Sequence, residues 1–382
     1  MPDVKVKVST RMPRFVSVPL AAVLALVLTS CALFVGEGPN VADRSLASQE
    51  SPRFFEGPDT ALLKSADIEP ITDNPEPKLP VTFMGMDDVE VEITDTSRIL
   101  ALDGTGSLAS VVWALGFGPN VVGRDLTTGW ESAKDLPLVM DNHTLNAESI
   151  LELNPTVVLT DYSVGPYDVQ LQMRNAGIPV IFFDGAEDID DISRLIGDVA
   201  TALGVPELGD EYVTEFQKTL DETIAKIHSI APQKEEDKVR MVFLYMRGRA
   251  GVYYMYGNNP DGSTGIAGIL IEQLGGVDVA GEENWTSGNL TAEGLMNLEP
   301  DLYLMLTLGL ESVGGVEGLL EVPGTAQTPA GERKRVVDMS DYEMFTWGPR
   351  TPEVLSALAE AIYHVDLDTV ELDESQAKAG RS

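Results

Sequence analysis

The chain carries an internal repeat. Residues 147–159 read Ala-Glu-Ser-Ile-Leu-Glu-Leu-Asn-Pro-Thr-Val-Val-Leu, and residues 292–304 read Ala-Glu-Gly-Leu-Met-Asn-Leu-Glu-Pro-Asp-Leu-Tyr-Leu. Ala-Glu, a Leu and a Pro recur in register, at an offset of 145. Each copy predicts a short amphipathic helix, a Pro that ends it, and a buried strand at Thr156–Thr160 or Leu302–Leu306. Each follows a Gly-rich stretch, Gly116 to Gly123 in the first case and Gly275-Gly276-Val277-Asp278-Val279-Ala280-Gly281 in the second. A duplicated helix–Pro–strand unit restricts the fold class strongly. Strands alternating with helices build layered α/β sheets, and two copies set far apart imply two such lobes.

The rest of the pattern divides accordingly. An N-terminal lobe is expected over 94–205, with strands at Ile99–Leu102, Val121–Val122, Val157–Thr160 and Val180–Phe183. Helical spacing appears at Tyr167–Ala176 and Asp188–Leu203. A C-terminal lobe is expected over 234–368, with strands at Val239–Tyr245, Gly251–Tyr256, Leu302–Leu306 and Val336–Met339. Between them, 206–233 places Tyr212, Phe216, Leu220, Ile224 and Ile227 at helical spacing, with no Pro after Pro206 until Pro232. The fold class is therefore α/β: two Rossmann-like lobes joined by one long α-helix. The last residues, 369–382, are polar and read as a frayed tail.

The first 30 residues have a basic start (Lys5, Lys7, Arg11, Arg14) and an apolar run from about Phe15 to Leu28, which describe a secretory signal peptide. A membrane-spanning helix needs about 20 apolar residues; this run is shorter and includes Ser17 and Pro19. The run ends in Leu28-Thr29-Ser30-Cys31, and Cys31 is the chain's one cysteine. A cysteine so placed resembles the bacterial lipobox, in which the signal is cut before the cysteine and the cysteine is acylated. That resemblance implies export and a lipid anchor on the outer face of the cell membrane. It leaves no thiol for disulfides, zinc or catalysis. Residues 31–93 are punctuated by Pro52, Pro58, Pro70, Pro75, Pro77 and Pro80 and lack periodicity, so they read as a lipidated cysteine followed by a disordered tether. The formal net charge of −35 argues against nucleic acid and against adhesion to anionic lipid by charge.

The 94–367 body resembles the metal-chelate class of ABC-importer binding proteins. The likeness rests on Ala-Glu, Leu, Pro and a strand in each lobe, on Gly-Gly-x-Asp-Val-Ala-Gly in the second, and on the helix between. Thr156 departs from the Asp more usual there, which Asp301 retains. Within that frame two segments carry chemistry. His143, one of three histidines, lies in a polar loop just before the first repeat copy. Tyr245 ends the strand beginning at Val239, and Arg247 follows two residues on. Strand ends are where open α/β sheets bind ligands, and a cation near a phenol favours phenolate, the form that binds ferric iron. His and Tyr are both haem axial ligands.

Tyr245-x-Arg247 with a first-lobe His143 resembles the haem-binding lipoproteins of actinobacterial haem importers. That resemblance implies ferric protoporphyrin IX as transported ligand, with His143 and Tyr245 on its iron and Arg247 as partner of the tyrosine. Relatives that use tyrosines alone would put Tyr162 or Tyr167 in place of His143. The same resemblance implies that Glu148 and Glu293, matched in the two repeat copies, dock on an ABC permease served by its ATPase, and that the protein acts as a monomer. Met246, Tyr253, Met255, Trp285 and Trp347 are either porphyrin packing or core. Each residue alone also has an ordinary reading: a packed strand-end tyrosine, a solvated histidine, a helix-start glutamate. A siderophore or cobalamin carrier of the same class stays open. No Gly-x-Ser-x-Gly elbow, phosphate loop or zinc-spaced histidine cluster suggests an enzyme.

Overall fold

The computed structural model describes residues 51–141, 144–186, 188–248, 252–254, 258–259, 263–283, 285 and 288–372. The signal segment and Cys31 lie outside them. Among the described residues, no helix is long and apolar enough to cross a membrane.

Each half of the body is a parallel sheet. In the first lobe Ile99–Leu102, Val157–Thr160 and Val180–Phe182 lie side by side in that order. Ile99 pairs with Val157 and Val158 with Val180, and Val121 bridges to the free side of Ile99. Every residue of the three strands is buried, which is why they read as unbroken apolar runs rather than alternating ones. In the second lobe the order is Asp59–Ala61, Val336–Met339, Leu302–Leu306, Arg240–Leu244, Val277–Asp278. All neighbours are parallel, with Leu304 opposite Phe243 on one side and Val337 on the other. The repeat strand is thus flanked on both sides in each sheet.

The repeat is also matched in backbone detail. Asn146 and Thr291, at equivalent positions, both cap a helix: each side-chain oxygen accepts from the N–H three residues on, at 3.0 Å. Asn154 and Glu299, again equivalent, both take the left-handed conformation, φ 46°. Pro155 or Pro300 follows, then the strand.

The helix between the lobes runs Pro206–Ile230, 25 residues, or about 37 Å at 1.5 Å per residue. Pro206 occupies its first turn, where a missing N–H costs nothing. It packs on Asp191–Ala202 of the first lobe and on Thr351–Tyr363 of the second, burying Phe216, Leu220 and Ile227. Gly209 lies so close to Ala200 that a Cβ there has no room.

Residues 51–93 are not the disordered tether that their composition suggests. Asp59–Ala61 is the edge strand of the second sheet. Thr60 Oγ1 donates to Asp338 at 2.9 Å, Arg53 Nε donates to Asp301 at 2.7 Å, and Phe55 stacks on His364. The chain then crosses to the first lobe, where Ile71 N–H donates to Ala114 O. Val81–Met84 and Glu90–Ile93 form a hairpin there, and Met86 N–H donates to Phe182 O. One segment therefore extends the second sheet by a strand and bonds to the Phe182 edge of the first. The chain passes between the lobes twice, whereas the sequence suggested a single joining helix. Boundaries at 94 and 234 assign this segment to neither lobe, because ladder bonds and ion pairs hold it rather than an apolar pattern.

Candidate functional site

The C-terminal ends of both sheets carry the polar and aromatic groups. In the second lobe Tyr245 directly follows the strand Arg240–Leu244. It exchanges two backbone hydrogen bonds with Tyr253, at 2.7 and 3.0 Å. Arg247 folds back so that its guanidinium carbon lies 4.6 Å from the centre of the Tyr245 ring. The contact is with the ring face. A cation over an aromatic face is worth about 0.5–1 kcal/mol at an exposed site. Arg247 Nη1 donates to Met246 O at 3.0 Å and Nη2 donates to Asp341 Oδ1 at 2.6 Å. The other Asp341 oxygen accepts the Leu308 N–H at 2.9 Å. Sequence reading missed Asp341. Its signal was its place two residues beyond the predicted strand Val336–Met339, by the same strand-end rule that selected Tyr245.

In the first lobe, Met140–Asp141 pairs with Thr144–Leu145, and Thr144 bridges to Gly165. His143 lies outside the described residues. The neighbouring loop is built from Asp161, whose Oδ1 accepts from Ser163 N–H at 2.9 Å. Ser163 Oγ in turn accepts from Gly104 N–H at 2.6 Å. Tyr162 stacks on Phe182 with ring centres 4.8 Å apart, Tyr167 lies 5.6 Å from the same ring, and both tyrosines are exposed. These are the two alternatives to His143. They form an aromatic lip on this edge.

Beneath the lip, Asp103 and Asp125 are buried. Asp103 accepts from Gly106 and Leu108 N–H at 2.6 and 3.0 Å; Asp125 accepts from Asp103 N–H at 3.0 Å and from Thr128 Oγ1 at 2.7 Å. Burial pushes both carboxyls above the usual carboxylate range, and the charge of Asp125 adds to the rise at Asp103. Asp161 is raised by burial too. Their hydrogen bonds tie strand ends to loops. Among the described residues no group of three or more His, Cys, Asp or Glu could hold a metal ion.

Glu148 and Glu293 are both exposed, each one residue inside its capped helix. Met246 and Trp347 are core, not ligand packing. Trp285 covers Gly294 on the second repeat helix, Tyr253 pairs with Tyr245, and Met255 lies outside the described residues. His228 is exposed near the end of the long helix. His364 is engaged differently: it pairs with Asp59 at 3.0 Å and stacks on Phe55, anchoring the N-terminal segment.

The lobes touch through loops that follow the strand ends. Thr346 Oγ1 donates to Thr105 O at 2.7 Å, and Tyr342 covers Gly129. The cavity left at this contact, of about 40 Å³ and lined by Ser110, Gly129, Tyr342 and Thr346, admits water but no large ligand.

A model of the periplasmic binding protein family matches residues 104–343. The crystal structure of haem-binding protein HmuT is 35% identical, with a TM-score of 0.75; the match covers 82% of this chain and 99% of HmuT. Structures of HmuT variants with a His, a Tyr or an Arg changed to Ala match as well. An uncharacterised ABC transporter substrate-binding lipoprotein of Bacillus subtilis, YvrC, is 25% identical over 293 residues, 74% of this chain and 86% of that protein. A vitamin B12-binding protein of Pectobacterium atrosepticum is 28% identical over 113 residues, 29% of this chain and 40% of its own length. With two parallel α/β sheets and a family match across most of its body, the chain belongs to the periplasmic binding protein family.

Proposed function

We propose that this protein captures ferric haem between its lobes and delivers it to an ABC-type importer. Export by a cleaved signal and acylation of Cys31 would hold it at the outer face of the cell membrane. The observation that carries the reading is Tyr245 at a strand end with Arg247 against its ring. The haem-binding protein HmuT, matched over nearly its whole length, has been altered at a Tyr and an Arg two positions apart and at a His. Tyr245 and Arg247 have that spacing here.

In this reading Tyr245 supplies a phenolate to iron from the second lobe and His143 an imidazole from the first. Arg247 lays its guanidinium against the ring of that tyrosine. Tyr162 and Tyr167 offer aromatic surface to the porphyrin. The two chain passages and the Thr346–Thr105 contact limit lobe motion, so the permease has to separate the lobes to release haem, with Glu148 and Glu293 as its grips. Exposed charges of this kind give orientation and on-rate more than affinity. The protein acts as a monomer, and the importer's ATPase drives the cycle.

A cobalamin carrier is the second reading, favoured by the vitamin B12-binding relative. That match covers 29% of the chain, against 82% for the haem-binding structure, so haem is preferred. The test is a titration of the purified protein with haemin, with cyanocobalamin and with a ferric siderophore. Haemin should give a Soret band with tyrosinate character. Tyr245→Phe should remove that character, and adding His143→Ala should remove the band. Glu148→Ala with Glu293→Ala should keep the band and stop haem uptake by cells. A protein that ignores haemin but binds either competitor overturns the reading.

A further inference from the structure

We infer that Asp341 is the positioning residue for Arg247, and through it for the tyrosine face of the ligand site. The inference rests on the haem reading for its purpose, but not for its geometry. Three adjacent strands of the second sheet, Val336–Met339, Leu302–Leu306 and Arg240–Leu244, deliver groups to the same edge within three residues of their C-terminal ends. Val336–Met339 delivers Asp341, Leu302–Leu306 the Leu308 N–H, and Arg240–Leu244 Tyr245 with Arg247.

The carboxylate spans the central strand. Oδ2 is fixed by Leu308 N–H at 2.9 Å and Oδ1 receives Arg247 Nη2 at 2.6 Å. The Asp341 side chain is 9% exposed, whereas that of Arg247 is 45% exposed. The anchor is therefore the rigid partner and the arginine the mobile one. A free arginine side chain has about 2 kcal/mol of rotamer entropy. One carbonyl contact, to Met246 O, is a weak restraint against that, and a charge-assisted bond from a fixed carboxylate is the stronger one. It holds the guanidinium over the Tyr245 ring instead of in solvent. Asp341 touches neither the phenol nor any ligand in this arrangement; it acts through Arg247.

The discriminating variant is Asp341→Asn, because the amide oxygen can still accept from Leu308 and the fold is kept; its thermal unfolding is checked beside wild type. Two measurements follow. In the ligand-free protein, nitrogen-15 spectra of the arginine side chains should show an Arg247 guanidinium slowed in rotation and exchange, and Asp341→Asn should abolish that signature. In haemin titrations Asp341→Asn should bind ~10-fold more weakly, as loss of one positioning hydrogen bond implies. In an Arg247→Ala background Asp341→Asn should add nothing. Wild-type behaviour of Asp341→Asn in both measurements overturns the inference, as does full additivity with Arg247→Ala. If wild type itself ignores haemin, the haem reading fails, and the nitrogen-15 comparison alone still decides whether Asp341 places Arg247.

Discussion

Thr156 and Asp301 stand at the same point of the two repeat copies, one residue before the buried strand. In the first lobe Thr156 Oγ1 accepts the Arg98 N–H at 3.1 Å, and its own N–H donates to Arg98 O at 2.8 Å. In the second lobe Asp301 Oδ2 accepts the Arg240 N–H at 3.2 Å, and its N–H donates to Arg240 O at 2.7 Å. Both residues start the neighbouring strand in the same way. The carboxylate does more, because its charge draws in Arg53 at 2.7 Å and Arg333 at 3.6 Å. Arg53 in turn brings the segment that becomes the fifth strand of the sheet. A hydroxyl suffices to start a strand; the carboxylate in addition holds a second piece of chain.

That asymmetry predicts the largest effect. Asp301→Asn keeps an acceptor for Arg240 but strands two arginines. Removing one partner of a buried ion pair costs about 3–5 kcal/mol. With both arginine side chains about a quarter exposed, a loss of about 2–3 kcal/mol is expected. Thr156→Val deletes one hydrogen bond and should cost about 1 kcal/mol. Urea unfolding of the two variants measures the difference. Equal losses would mean that Arg53 and Arg333 contribute nothing and that the ladder alone holds Asp59–Ala61.

The ligand edges differ as well. The first lobe buries two carboxyls, Asp103 and Asp125, with Asp161 half-buried beside them, and the second presents a tyrosine, an arginine and a carboxylate. Asp103 and Asp125 are raised above an ordinary value of 3.8, so the folded state binds protons that the unfolded chain has already released. Their contribution to stability is fully present below that value and is lost as pH rises through the raised native values. Apoprotein stability followed from pH 4 to pH 8 should show this fall. Asp103→Asn costs a hydrogen bond at every pH but should flatten the fall, and an unchanged slope would remove Asp103 from the account.

What could be read in advance follows the same physical line. Fully buried strands such as Val157–Thr160 and Leu302–Leu306 announce themselves by composition, and the observed ends match the expected ones. The long helix is legible because Phe216, Leu220 and Ile227 repeat at its own period. Arg247 near Tyr245 is legible because two residues on a turning chain cannot be far apart. Asp341 is 94 positions away from Arg247, and only the order of strands in the sheet brings them together. Asp59–Ala61 is held by backbone ladders and by Arg53, none of which leaves a hydrophobic pattern. Pro-rich composition misleads there because edge segments supported by others need no periodicity of their own.

The smallest expected effect tests how alike the two copies are. Asn154 and Glu299 share φ 46° before their prolines, a conformation that costs most L-residues about 1–2 kcal/mol. Asn is better suited to it than Glu, and Asn154 Nδ2 also donates to Glu152 O at 2.9 Å. Glycine removes the strain but adds entropy to the unfolded chain. Asn154→Gly should therefore change stability by only a few tenths of a kcal/mol, whereas Glu299→Gly should stabilise by about 0.5–1 kcal/mol. Thermal unfolding of the two glycine variants gives the sign. If the first stabilises more than the second, the matched φ values conceal different local restraints, and the equivalence of the two copies ends at the strand rather than at the turn.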